Sequence, residues 1–199
     1  ILFIDNYDPF TFNLYGDIAD TACSPPIVIR NDQYTWDKVE PLAFDAIVIS
    51  PGPGSSARQF HPGISASALQ QTLRPVLGVC LGRQLLGRVL GLSVEHTAPG
   101  RSSVVRTFHN DSPLFAGLES PFNAFRYNAL EIREPLPTGL EKMAWSDDGA
   151  VMALEVVGLP VWCIQFHPES VYTQAGTTLL RRFIELTAAF HIRDDIPPA

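Results

Sequence analysis

No apolar run in the sequence reaches the roughly 18 residues of a membrane-spanning helix. Cysteine is scarce, with three in 199 residues, at positions 23, 80 and 163. An odd number at such wide spacing fits neither a disulfide framework nor a zinc site, and three free thiols in a reducing, cytoplasmic compartment are expected. Positive charge is also thin, 14 Lys and Arg against 21 Asp and Glu for a net charge of −7. Its pairs, such as Arg101 and Arg106, Arg126 and Arg133, and Arg181 and Arg182, never gather into the basic face that phosphates require, which argues against a nucleic-acid partner. No G-x-G-x-x-G or P-loop pattern occurs, so neither dinucleotide nor ATP is expected, and no cofactor or metal. The opening ILFIDNYDPF has no basic leader or cleavage site, so a signal peptide is not expected. The missing Met and the polar close HIRDDIPPA lead us to expect one domain over 1–190 and a linker or tail over 191–199, part of a longer polypeptide.

What is present suits one globular core, with 46% hydrophobic and 18% charged residues. ILFID (1–5), PPIVIR (25–30), DAIVIS (45–50) and PVLGV (75–79) are short apolar runs of the kind that fit strands buried on both faces. Helical spacing separates them at 9–19, 63–73 and 81–91. Alternating strands and helices predict an α/β fold, an open and mostly parallel sheet with helices on both faces. From 92 to 166 the pattern changes to short strand candidates, SVVRTF, VMALEVV and VWCIQF, which predict a small antiparallel or mixed layer. A last amphipathic helix is expected at about 174–189, and there is no internal repeat.

Between the fourth strand and the following helix stands Gly78-Val79-Cys80-Leu81-Gly82, a G-x-C-x-G pattern. A sharp strand-to-helix turn of this form exposes its central residue at the sheet edge, next to the free N–H groups of a helix N-terminus. Taken alone, the motif fits a buried small hydrophobe equally well. A nucleophile needs a base and the base an orienter. His167 ends an apolar run, and Glu169 two residues on shares its face of an extended segment, with Pro168 keeping the chain extended. An HPE surface turn is the bland alternative. The remaining histidines, His61, His96, His109 and His191, have no such arrangement and read as ordinary. The loop SPGPGSS (50–56) follows a strand and would present N–H groups toward the elbow, unless it merely turns the chain.

Together these motifs, with the opening DNYDPFTFNL and the closing IQFHPES, resemble the class I (triad) glutamine amidotransferases nearly end to end. The resemblance implies a flavodoxin-like fold and glutamine hydrolysis, with Cys80 as nucleophile, His167 as base then acid, and Glu169 holding His167. It further implies substrate and oxyanion contacts at Gly52, Pro53, Gly54, Leu81 and Gln84, and at Ala129 and Leu130 in RYNAL. L-glutamine is the implied substrate. The implied partner is a chorismate-aminating synthase domain, on the same chain or separate, with no nucleic acid and no membrane. DNYDPFTFNL and AWSDDG are similar to the amidotransferase part of aminodeoxychorismate synthases, on the folate route through p-aminobenzoate, with anthranilate synthases close by. Three places depart from the family pattern. GHQ is here Gly82-Arg83-Gln84, the HG-K/R-S stretch is Pro99-Gly100-Arg101-Ser102, and RYHSL is Arg126-Tyr127-Asn128-Ala129-Leu130. They keep open a non-catalytic, regulatory domain. A peptidase of the same architecture fits less well, because SPGPG and HPES are both present.

Overall fold

The computed structural model describes residues 1–53, 62–92, 94–96, 102–127, 130–132 and 134–194. Four short strands, β1 (Leu2–Asp5), β2 (Ile27–Arg30), β3 (Ile47–Ile49) and β4 (Val76–Val79), alternate with α1 (Thr11–Ala22), α2 (Trp36–Val39) and α3 (Gly63–Gln71). They pair in parallel, β1 with β2 and β3, and β3 with β4. Successive side chains enter opposite cores. Leu2, Ile4, Ile47 and Ile49 pack with Trp36, Ile64 and Leu85, from α2, α3 and α4 (Leu81–Val89). Phe3, Val48 and Leu77 pack with Leu14 and Ile18 of α1 and with Leu179 and Phe183 of α5 (Gly176–Asp194). Burial on both faces is why these runs carry no polar alternation. β2 differs, because it lies at the sheet edge with Ile27 and Val28 exposed and only Ile29 buried.

The second half supplies β5 (Val94–His96), β6 (Ser102–His109), β7 (Phe122–Tyr127), β8 (Leu130–Ile132), β9 (Leu140–Ser146), β10 (Val151–Val156) and β11 (Val161–Ile164). The sheet order is β2-β1-β3-β4-β11-β10-β9-β6-β7, with β5 and β8 forming a separate pair. β11 runs parallel to β4, and from there outward each pairing is antiparallel. The α/β class is as expected, with most of the antiparallel part continuing the parallel sheet edge to edge and the β5–β8 pair standing apart. Helix α5 runs to Asp194, past the expected end near 189 and across the boundary at 190. Among the described residues no helix is long and apolar enough to cross a membrane.

Candidate active site

β4 ends at Val79 and α4 starts at Leu81, so Cys80 alone turns the chain. Its φ of +51° and ψ of −90° lie where L side chains rarely go, a strain of about 1–3 kcal/mol that the surroundings must hold. Its N–H donates to the Ile164 carbonyl at 2.8 Å, and its carbonyl accepts from the N–H groups of Arg83 and Gln84 at 3.2 and 3.4 Å. Gly78 leaves room for this packing, since a Cβ there would lie 2.7 Å from Cys163 Sγ and 3.0 Å from the Gly82 carbonyl carbon.

Because β11 lies beside β4, the residues that follow it arrive at the elbow. His167 Nδ1 meets Glu169 Oε1 at 2.7 Å, with both side chains buried. The His167 N–H donates to the Phe125 carbonyl at 2.9 Å, Thr173 Oγ1 donates to the His167 carbonyl at 2.7 Å, and the Phe125 ring packs edge-on to the imidazole. Nδ1 is thus committed to Glu169, while Nε2 is buried with no hydrogen-bond partner among the described residues. Burial acts against the imidazolium, but Cys80 and Glu169 outweigh it and raise the His167 pKa to about 10. The ring is therefore charged at neutral pH. The expected triad residues are brought together.

The loop after β3 is tied down by a buried amide. Asn6 N–H donates to Ser50 Oγ at 2.8 Å and Asn6 Nδ2 to the Ser50 carbonyl at 3.0 Å, while Asn31 Nδ2 and Ser65 Oγ both donate to Asn6 Oδ1 at 2.9 Å. Gly52 then packs against the residue following the cysteine, because a Cβ on it would lie 2.5 Å from the Asn6 carbonyl oxygen and 2.7 Å from Leu81 Cδ2. Leu81 buries its side chain, and as the first residue of α4 its N–H has no intrahelical acceptor. Gln84 is buried, and its Oε1 has no hydrogen-bond partner among the described residues. Pro53 is exposed, and Leu130 is buried at the start of β8. Gly54 and Ala129 lie outside the described residues, as do Pro99, Gly100, Arg101 and Asn128.

A cleft of about 480 Å³ opens against this site, lined by Phe10, Tyr127, His167, Glu169 and Tyr172 among others. Cys80 does not line it. It sits 5% exposed, with Sγ 3.6 Å from the Tyr127 carbonyl oxygen. Three contributors were not expected as parts of the site. Thr173 braces His167, Gln165 donates to Cys80 Sγ, and Asp8 lies near enough to feel the charges of His167 and Glu169. Burial pushes the Asp8 carboxyl up. Gln165 has a sequence signal, its i−2 spacing from His167, whereas Asp8 and Thr173 have none. His109 stacks on Phe115 and His191 bonds the Asp45 carbonyl, both away from the triad. His61 and the His96 side chain lie outside the described residues. Among the described residues no three His, Cys, Asp or Glu side chains are grouped to hold a metal ion.

A cysteine on a strand-to-helix elbow, with a buried histidine–carboxylate pair beside it, is the arrangement that a thiol nucleophile, its base and the base's orienter would require. The chain belongs to the class-I glutamine amidotransferase family, whose model matches residues 2–186. It is 44% identical over 189 residues to an aminodeoxychorismate synthase of Streptomyces griseus, covering 94% of this chain and 26% of that protein. It is 39% identical over 193 residues to anthranilate synthase component 2 of Methanothermobacter thermautotrophicus, covering 94% and 98% of the two chains. The chain thus spans about a quarter of the length of the Streptomyces relatives it matches. The crystal structure of a putative GMP synthase component from Thermoplasma acidophilum shares the fold, with a TM-score of 0.85, 23% identity and 98% coverage of both chains.

Proposed function

We propose that this chain hydrolyses glutamine and delivers the ammonia to a chorismate-aminating synthase of the aminodeoxychorismate type. The observation that carries it is the buried 2.7 Å His167–Glu169 contact coupled to a cysteine strained on the elbow. In this reading Cys80, as thiolate, attacks the side-chain amide carbon of glutamine. The N–H of Leu81, with the loop at Gly52, Pro53 and Gly54, takes the charge that develops on the amide oxygen. The imidazolium of His167 gives its Nε2 proton to the departing nitrogen, ammonia leaves, and a γ-glutamyl thioester remains. Neutral His167 then takes a proton from water, whose oxygen attacks the thioester, and glutamate departs as the thiolate and imidazolium are restored. Glu169 keeps Nδ1 bonded throughout, so the proton moves only at Nε2. Gln84, Ala129 and Leu130 hold the substrate.

The two Streptomyces proteins, at 44% and 40% identity, favour the aminodeoxychorismate partner on the folate route. The 39% identity to anthranilate synthase component 2 supports anthranilate as the second reading. A Bacillus subtilis relative, 39% identical, carries both names. The amidotransferase unit would run to the end of α5 at Asp194, four residues past the expected boundary at 190, and act in the cytoplasm. The test is glutamate release by this chain, alone and with an aminodeoxychorismate or anthranilate synthase component plus chorismate. Release is expected to rise with the partner and to fall by at least about a thousandfold in Cys80→Ala and Cys80→Ser. Glutamine binding without release, even with the partner, would replace this reading by the regulatory one.

A further inference from the structure

Arg83 has no exposed surface at all. A buried guanidinium is costly unless its donors are met. Here they meet neutral oxygens. Nε and Nη2 both donate to Gln165 Oε1, at 2.9 and 2.5 Å, and Nη1 donates to the Val151 carbonyl at 3.0 Å. With Oε1 taken twice, the Gln165 amide has one orientation open to it, and its Nε2 donates to Cys80 Sγ at 3.5 Å. The chain of contacts therefore runs from a buried cation, through one amide, to the sulfur. Burial lowers the Arg83 pKa to about 10, while the charges of Cys80, Cys163 and Glu131 act the other way, so the group is a cation at neutral pH.

We propose that Arg83 is a positioning residue which, by clamping Oε1 of Gln165, turns the amide donor onto Cys80 and holds the sulfur in its attacking form. The inference rests on the reading of Cys80 as nucleophile. Among the described residues, His167 after β11 and Arg83 from α4 interact with Cys80, Glu169 and Asp8 act on His167, and Glu131 from β8 and Cys163 of β11 act on Arg83. All but Arg83 stay unchanged in the variants below.

The test is the pH profile of iodoacetamide labelling at Cys80, followed by peptide mass spectrometry from about pH 5 to about pH 10. It uses a Cys23→Ser background, because Cys23 is exposed, whereas Cys163 has no exposed surface against 5% for Cys80, and the peptide read-out separates the two. Arg83→Met and Gln165→Leu are each expected to move the curve to higher pH and to cut labelling at neutral pH about tenfold, one unit of titration. The double variant should do no more than either single one. Arg83→Lys, which keeps the charge and loses the fork, should fall between. An unmoved curve in a cooperatively melting Arg83→Met, or additive losses in the double variant, would overturn the relay. Should Arg83→Met not melt cooperatively, unmoved curves in both Arg83→Lys and Gln165→Leu overturn it. Labelling needs no turnover. A shifted curve without glutamate release upholds the relay and removes the glutaminase reading, and release with unshifted curves does the reverse.

Discussion

His167 is charged in a buried setting only because of its two neighbours, and this makes its titration a gauge of the site. A histidine whose pKa is raised by folding adds stability in full below its unfolded value of about 6.5, and that contribution is lost as pH rises through the folded value of about 10. Glu169→Gln keeps the shape and removes one of the two charges. The His167 ring resonance, followed by NMR, is expected to titrate at lower pH in that variant. The loss of thermal stability should likewise start at lower pH. Glutamate release should fall by roughly a hundredfold or more, because the amide no longer stabilises the imidazolium. An unchanged titration would detach Glu169 from the proton transfer. Cys163, by contrast, is pushed up to about 12, burial being the largest cause, and is predicted to resist alkylation throughout the neutral range.

At the scale of elements, the elbow and the outer hairpin are held by different forces. Gly78→Ala would force Cβ to 2.7 Å from Cys163 Sγ, a side chain fixed within β11. A loss of about 1–3 kcal/mol in urea unfolding is expected, with slower labelling of Cys80 as the elbow shifts. In the antiparallel half, Arg126 of β7 is buried and pairs with Asp148, in the turn between β9 and β10, where Ser146 also bonds the carboxylate. Hydrogen bonding from Arg126 is the chief cause holding that carboxyl well below the usual carboxylate range. A depressed carboxyl contributes stability above its unfolded value, near 3.9, and loses it as pH falls toward the folded value. With Asp148 36% exposed, Asp148→Asn should cost only about 1–2 kcal/mol at neutral pH, and the gap to the parent should close under acid. A gap independent of pH would mean that shape rather than charge sets its role.

For the whole molecule, the sheet is the frame that decides where chemistry occurs. Phe183 of α5 is fully buried and meets Trp162 of β11 edge-on, joining the last helix to the strand that carries the chain to His167. Phe183→Ala is expected to lower unfolding free energy by about 3–5 kcal/mol in one cooperative transition. A separate early melt of α5 would show that the helix is not part of the same core. Strands β1 to β4, helices α1, α3, α4 and α5, the elbow and the two-residue spacing of His167 and Glu169 were legible in the sequence, whereas the single turn of α2 and the parallel run of β11 were not. Each legible feature is a local pattern, in which apolar runs mark strands buried on both faces and G-x-C-x-G marks a turn. β7 and β9 were not read from the sequence: the burial of LEKMAWS follows no regular alternation, and FNAFRY alternates over only six residues with Asn and Arg in place of the β-branched residues that mark the other strands. Nor was the burial of Arg83, which depends on oxygens supplied by Val151 of β10 and by Gln165 just after β11, both far off in sequence. The placing of β11 beside β4, which brings His167 to Cys80, came from tertiary structure alone. Strand order is settled by which surfaces are buried together, and no local periodicity records that.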